Sequence, residues 1–290
     1  MPDPRVGLAV GALCISMSAV LLNLANTSSA TATVGRCVLA LPIMAILAVR
    51  EKRTRERLSG PAMLSALACG LLFAGDMLWW TQAIFEIGAG LSTVLVNTQV
   101  VIVPLLAWLI DGEKVRRRFL LALPVVIAGV VLTGGVADHG LHGQVFAGTL
   151  HGLAAALCYS GFLFLLRRGG KAGQPVQTYA VVLVTAAAVA AGLAPWWGGL
   201  DIAPGWASLG WLLLVTLTGQ LLGWLLVARL SGKVASETSS VLLLLTPVGA
   251  LALGMLLLGE RPALLQLVGC GLVIAGAYVV VADSGGKAGS

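Results

Sequence analysis

Ala12-Leu13-Cys14-Ile15-Ser16 recurs as Ala156-Leu157-Cys158-Tyr159-Ser160. Val126-Ile127-Ala128-Gly129 returns as Val273-Ile274-Ala275-Gly276, and Gly112-Glu113 returns as Gly259-Glu260 at that same offset. A duplicated chain is expected, and each half has room for five apolar spans. An odd number of spans turns the second copy upside down relative to the first. Inverted repeats of this kind build many secondary transporters, with the substrate site near the midplane where the halves meet. Transport is therefore the leading reading before any single side chain is considered.

Composition agrees. The chain has 290 residues, of which 58% are hydrophobic and 10% charged, and its mean hydropathy is +0.97. Soluble domains are about a quarter charged. A bilayer core about 30 Å thick needs roughly 20 apolar residues per helix, and the apolar runs here have that length. The fold class predicted is an all-α membrane protein of ten transmembrane helices, at 6–24, 30–49, 62–85, 88–110, 119–134, 148–166, 176–196, 207–228, 234–258 and 263–282. The first repeat is expected over 1–135, an outer loop over 136–147, the second repeat over 148–283 and a cytoplasmic tail over 284–290. The first apolar run is read as a retained helix and not a signal peptide.

The charge pattern sets an orientation. Arg50, Lys52, Arg53, Arg55 and Arg57 follow helix 2; Lys114, Arg116, Arg117 and Arg118 follow helix 4; Arg167, Arg168 and Lys171 follow helix 6. All share one side if ten helices alternate, and Arg261 lies opposite. The positive-inside rule then puts both termini in the cytoplasm. A net charge of +6 confined to such loops gives no reason to expect nucleic acid. Trp108, Trp196, Trp197, Trp206 and Trp211 read as interfacial anchors. The five cysteines lie in apolar runs without a C-x-x-C pair, which suits buried packing, so no metal or other cofactor is expected. His139 and His142 fall in the outer loop, and His151 is a candidate for the mouth of helix 6.

Helices 4 and 9 are the expected cavity walls. Ser92 and Gln99, seven residues apart, share one face of helix 4, and their repeat counterparts Ser239 and Thr246 share one face of helix 9. Asn97 stands beside them. Polar groups on one face of a membrane helix need a wet cavity or a partner helix. Pro104 and Pro247, the candidate hinges, each remove a backbone bond and free the carbonyl four residues earlier, at Val100 and Leu243. Asp76 and Trp80 in helix 3 align with Gln220 and Trp224 in helix 8. Asp76 is the acid set well inside a span, so it should face water or a cation; it is either paired with Arg36 or a proton or ammonium site. Arg36 is read as a structural charge. Trp80, on the face of Asp76, offers a ring and one N–H to a ligand. Tyr159 is a candidate donor to a carboxylate.

Ten helices in two repeats, each closing its fourth helix with Gly-Glu followed by Lys or Arg, resemble the drug/metabolite transporter superfamily in its EamA-type branch. Thr246-Pro247 and the later Leu258-Gly259-Glu260-Arg261 resemble the family's helix 9, and Arg36 sits where such proteins often carry arginine. Asn97-Thr98-Gln99, with Pro104 one turn on, replaces the usual Ser/Thr-Pro step. That polar helix 4, with tryptophans in helix 3, is most similar to the bacterial aromatic amino-acid exporters. The resemblance implies export, and the high Ala, Gly and Leu content with Arg favoured over Lys points to a bacterial inner membrane. The uncharged candidate lining suits aromatic or neutral amino acids, or related amphipathic metabolites, with multidrug or cationic-compound efflux as the alternative. No converging catalytic cluster, continuous polar stripe or nucleotide-binding loop is found, which argues against an enzyme, a channel and an ATP-driven pump. The partners expected are a small-molecule substrate and the lipid bilayer, with the chain acting as a monomer.

Overall fold

The computed structural model describes residues 3–112, 117–133, 143–169, 174–223, 226–227, 230 and 242–284. Among these there is no strand. Among the described residues seven stretches are long and apolar enough to cross a membrane: Pro4–Ala25, Ser29–Arg53, Gly60–Ile87, Ala89–Asp111, Gly143–Leu166, Pro175–Trp196 and Trp206–Gly223. Phe119–Thr133, Leu245–Leu257 and Leu264–Val279 are apolar but shorter. The chain is thus a multi-pass helical membrane protein.

In chain order the helices are α1 Pro4–Ala25, α2 Ser29–Thr54, α3 Gly60–Ile87, α4 Ala89–Val96, α5 Gln99–Asp111, α6 Arg117–Thr133, α7 Gly143–Gly169, α8 Pro175–Leu193, α9 Trp206–Val215, α10 Leu245–Leu257 and α11 Leu264–Ser284. Local chemistry sets several ends. Asp3 accepts the N–H of Arg5 at 2.9 Å ahead of Pro4, which suits a first helical position. Ser28 accepts the N–H of Thr31 at 3.0 Å and so caps α2.

Two elements depart from the sequence expectation. The rod expected over 88–110 is divided into α4 and α5. Asn97 and Thr98 have ψ of −8° and −13°, which tightens the chain into i→i+3 bonds. Val100 N–H reaches the Asn97 carbonyl at 3.1 Å and Val101 N–H the Thr98 carbonyl at 2.9 Å. The Asn97 amide and Thr98 hydroxyl bond back to the carbonyls of Thr93 and Leu95, at 3.0 and 2.7 Å. Such side chains compete with the regular ladder. The helix breaks at this polar pair, ahead of Pro104. The second departure is in the eighth span, where α9 runs into a π-helical segment, Thr216–Gly223. Wide turns of this kind often mark functional positions.

The packing is mainly between repeats. α3 lies along α7, and the equivalent surfaces of the other copy bring the π segment and α9 against α1. α6 packs on α11, α2 on α8 and α4 on α10. The first two of these pairs join equivalent helices that run antiparallel, and the third sets the first half of the broken fourth span against the second half of its counterpart. Glu51 near the end of α2 meets Val176 and Gln177 at the start of α8, while Ala30 near the start of α2 meets Trp197 past the end of α8. Gly129 meets Gly269, and Val126 meets Gly276. Antiparallel equivalents are what an inverted repeat requires. Glycine permits the closest crossings: a Cβ on Gly129 would lie 2.8 Å from the Gly269 oxygen, and one on Gly269 would lie 2.6 Å from the Gly129 oxygen.

The recurring Gly-Glu step has a backbone cause. Gly112 and Gly259 both have φ +66°, the left-handed conformation that ends a helix and favours glycine. Glu260 then turns across to the other repeat. Its carboxylate accepts the N–H of Ala89 at 2.5 Å and of Gly90 at 3.1 Å, capping α4. Gly88, the single link between α3 and α4, has φ +91° and ψ 165°, a region essentially confined to glycine. A Cβ there would also lie 2.7 Å from that carboxylate. Glu51 does the same at the other end of the bundle: its two oxygens accept the N–H groups of Gln177 at 2.8 Å and Val176 at 3.4 Å at the start of α8.

Candidate functional site

A cavity of about 350 Å³ lies between the repeats, within the range of small-molecule sites. Its walls come from both copies. From the first repeat, α1 supplies Ile15 and Ser18, α2 Arg36, α3 Phe73, Asp76, Met77 and Trp80, and the α4–α5 break Thr93, Val96, Asn97, Gln99 and Val100. From the second, α7 supplies Tyr159 and Leu163, the π segment Gly219 and Gln220, and the start of α10 Leu244 and Thr246, with Leu243 just before it.

The candidates named from sequence distribute as follows. Asp76, Trp80, Asn97, Gln99, Tyr159, Gln220 and Thr246 line this one cavity, and so does Arg36. Trp224 and Ser239 lie outside the described residues, as do Glu113, His139 and His142. Ser92 is fully buried, off the cavity, and its hydroxyl donates to the Ala89 carbonyl at 3.2 Å. Pro104 and Pro247 are not lining residues, but Val100, whose carbonyl Pro104 leaves without a helical donor, and Leu243, four residues before Pro247, both are. Pro247 lies in the first turn of α10, just after the break at Leu244. Its missing N–H would have had no helical partner there.

Arg36, read from sequence as a structural charge, is part of the cavity wall. It is 5% exposed and Asp76 is 3% exposed. The two form no ion pair; among the described residues the Arg36 Nη1 instead meets the Met77 Sδ at 3.2 Å. Its guanidinium carbon lies 5.8 Å from the centroid of the Trp80 ring, within reach of a cation–π contact. Several polar atoms here are buried without a protein partner: the Arg36 Nε, the Trp80 Nε1 and both amide atoms of Gln220. Groups left this way normally carry an explanation.

The π turn explains why Gln220 reaches the cavity. Gly219 and Gly223 let it approach α1, where a Cβ on Gly223 would be 3.2 Å from the Gly11 oxygen. On the other side, Ser16 is fully buried and its hydroxyl lies 2.9 Å from the Ala12 carbonyl and 3.0 Å from that of Thr246. It ties α1 to the start of α10. An aromatic layer backs the cavity: Phe73 packs on Phe162 at 5.1 Å and on Tyr179 at 6.3 Å, and Tyr159 stacks on Phe162 at 6.1 Å. Sequence reading missed Phe73 and Tyr179. Their signal, isolated aromatics in apolar helices, does not differ from core packing.

Trp79, the neighbour of Trp80, faces elsewhere. It stacks on His151 at 5.0 Å and meets Trp197 edge-on at 4.5 Å. The His151 Nδ1 lies 2.5 Å from a Glu86 oxygen, Gln82 donates to the other Glu86 oxygen at 2.9 Å, and Ser29 donates to Gln82 at 3.0 Å. This polar chain sits at the α3 end remote from the basic segment at Arg50–Arg57. Trp197, expected to be a lipid anchor, is half-buried in that cluster, and Trp211 is half-buried against the main core. Trp196 and Trp206 are 76% and 91% exposed, as anchors would be.

No curated protein sequence matches. A solved structure described as a crystal structure of a protein superposes over 99% of both chains with TM-score 0.64 and 16% identity. At that identity it shows the fold alone. The model of the EamA-like transporter family matches residues 6–135 and again 146–282, one match per repeat. With nearly its whole length matched in two copies, the chain belongs to the EamA-like transporter family.

Proposed function

We propose that the chain is a secondary transporter that exports amino acids, aromatic or neutral ones, by alternating access around the cavity between its repeats. Ten spans, both termini in the cytoplasm and a bacterial inner membrane complete the reading, and it works as a monomer. The observation that supports it best is the cavity itself. It is bounded by equivalent breaks in the two repeats, at Asn97–Thr98 and at Leu244. Its surface mixes amide and hydroxyl groups with the aromatic faces of Phe73, Trp80 and Tyr159. Rocking one inverted copy against the other would open it to alternate sides. A second reading, efflux of cationic amphipathic compounds, draws on Asp76 beside those aromatic rings.

Counterflow in proteoliposomes tests this. Unlabelled solute is loaded inside and the same labelled solute is supplied outside, using tryptophan, phenylalanine, threonine, methionine and a cationic dye. Accumulation of labelled tryptophan and phenylalanine, lost in Gln99→Ala, supports amino-acid export. Dye uptake without counterflow of any amino acid moves the reading to drug efflux.

A further inference from the structure

Arg36 and Asp76 are a buried formal cation and a buried formal anion on the wall of one cavity, and they do not pair with each other. A charge within the membrane is costly unless it meets water, a partner or a ligand. An ordinary structural pair would bring the two together. Here Arg36 has the sulfur of Met77 for Nη1 and no partner for Nε. The donors beside it are also unspent. Trp80 offers Nε1 and Gln220 offers Nε2, both buried and both without a partner.

The geometry points to a zwitterion-reading site: Arg36, Trp80 and Gln220 take the α-carboxylate of an amino acid, and Asp76 takes its α-ammonium. This rests on the amino-acid exporter reading and specifies the ligand's head group. A zwitterion supplies one counter-charge to each buried ion and leaves the occupied site neutral, which neither an amine nor a carboxylic acid alone can do. Arg36 suits the carboxylate, because a guanidinium presents a fork of donors to two oxygens. The Trp80 N–H and Gln220 amide add neutral donors for the remaining lone pairs. The apolar side of the cavity, with Phe73 and Leu163, is left for the amino acid's side chain. The two breaks add carbonyl-bearing backbone at Val100 and Leu243, suited to the ammonium's other hydrogens.

Three indole solutes separate the charges: tryptophan carries both, tryptamine only the ammonium, and indole-3-propionate only the carboxylate. Each is tested as a competitor of labelled tryptophan counterflow in the wild-type chain, so that their own membrane permeation does not matter. Tryptophan is expected to compete about tenfold or more better than either analogue, the effect of one charge-assisted hydrogen-bond set. Arg36→Gln should erase the advantage over tryptamine and keep that over indole-3-propionate; Asp76→Asn should do the reverse. Where a variant no longer transports, the rise in Tm of the purified variant with each solute reads the same preference. Tryptophan counterflow with equal competition by all three solutes overturns the head-group assignment and leaves the exporter reading standing. Unchanged preferences in both variants overturn it as well. Absence of any amino-acid counterflow, with dye uptake retained, removes the exporter reading and this inference together.

Discussion

Asn97 and Leu244 stand at the same position of the repeat, related as Gly112 is to Gly259, and each interrupts its helix with nearly the same backbone. The angles are φ −66°, ψ −8° at Asn97 and φ −67°, ψ −12° at Leu244. One break carries an amide side chain and the other an isobutyl group. The break is thus a property of the repeat's backbone, and the two prolines stand in different relations to it. Pro104 lies inside α5, whereas Pro247 lies in the first turn of α10.

That difference sets the first prediction. Pro104→Ala restores a bond to the Val100 carbonyl and should stabilise the chain by about 1 kcal/mol or more, since an interior proline costs a helix about 3 kcal/mol. Pro247→Ala restores no helical bond and should shift stability by no more than about 0.5 kcal/mol. Thermal unfolding in detergent, followed by circular dichroism, distinguishes them. Equal shifts would show that Pro247 is an interior helical residue after all.

The Glu260 cap makes the second. Glu260→Ala leaves the Ala89 and Gly90 N–H groups without their acceptor, at a cost of about 1–3 kcal/mol. Gly254→Ala puts a methyl group against the same carboxylate and should also destabilise. The two should not add, because removing the carboxylate removes the clash. A double-mutant cycle on Tm is the measurement, and strict additivity is the outcome that counts against the contact.

A third concerns the cluster outside the cavity. His151→Ala removes one of the two partners of Glu86 described above and the ring that covers Trp79. Stability should drop by about 1–3 kcal/mol, because α3 and α7 are held there. The solute concentration giving half-maximal counterflow should stay within about twofold of wild type, a change under about 0.5 kcal/mol. A larger shift in that concentration would mean that His151 takes part in solute binding.

Close crossing gives a fourth. Gly269→Ala would drive a Cβ to within 2.5 Å of the Thr133 backbone nitrogen and 2.6 Å of the Gly129 oxygen. Backbone cannot yield as a side-chain tip can, so a loss of about 1–3 kcal/mol is expected. Gly271→Ala, in the same helix with nothing within 4 Å of its Cβ, should be neutral or slightly stabilising through helix propensity. The pair of Tm values decides whether the approach of α6 and α11 is as tight as described.

Much of this was legible because duplication wrote it twice. The recurrence of Gly112-Glu113 as Gly259-Glu260 located matching helix ends, and both glycines have the same φ. Depth and helical spacing put Asp76 and Trp80 on one face, and both line the cavity. The division of the expected fourth helix was not legible. Asn97-Thr98-Gln99 is compatible with a continuous helix, and the proline beyond it is the louder signal. The π turn at Thr216–Gly223 has no distinguishing residue pattern, yet it presents Gln220. Arg36 was placed as a structural charge because sequence spacing could not show that its nearest contacts would be Met77 and Trp80. The cap by Glu260 joins residues 171 positions apart, a distance at which a loop carboxylate names no partner.

That separation has a consequence for how the chain is made. Ribosomes add about 5–20 residues per second, so the first repeat waits roughly ten to thirty seconds after Ala89 is synthesised before Glu260 exists. Through that interval the leading turn of α4 has no carboxylate to accept its N–H groups. Glu51 stands in the opposite order, made long before the α8 turn that it receives. One half is thus completed by its successor and the successor is received by the first half. Birth order, not only symmetry, distinguishes the two copies.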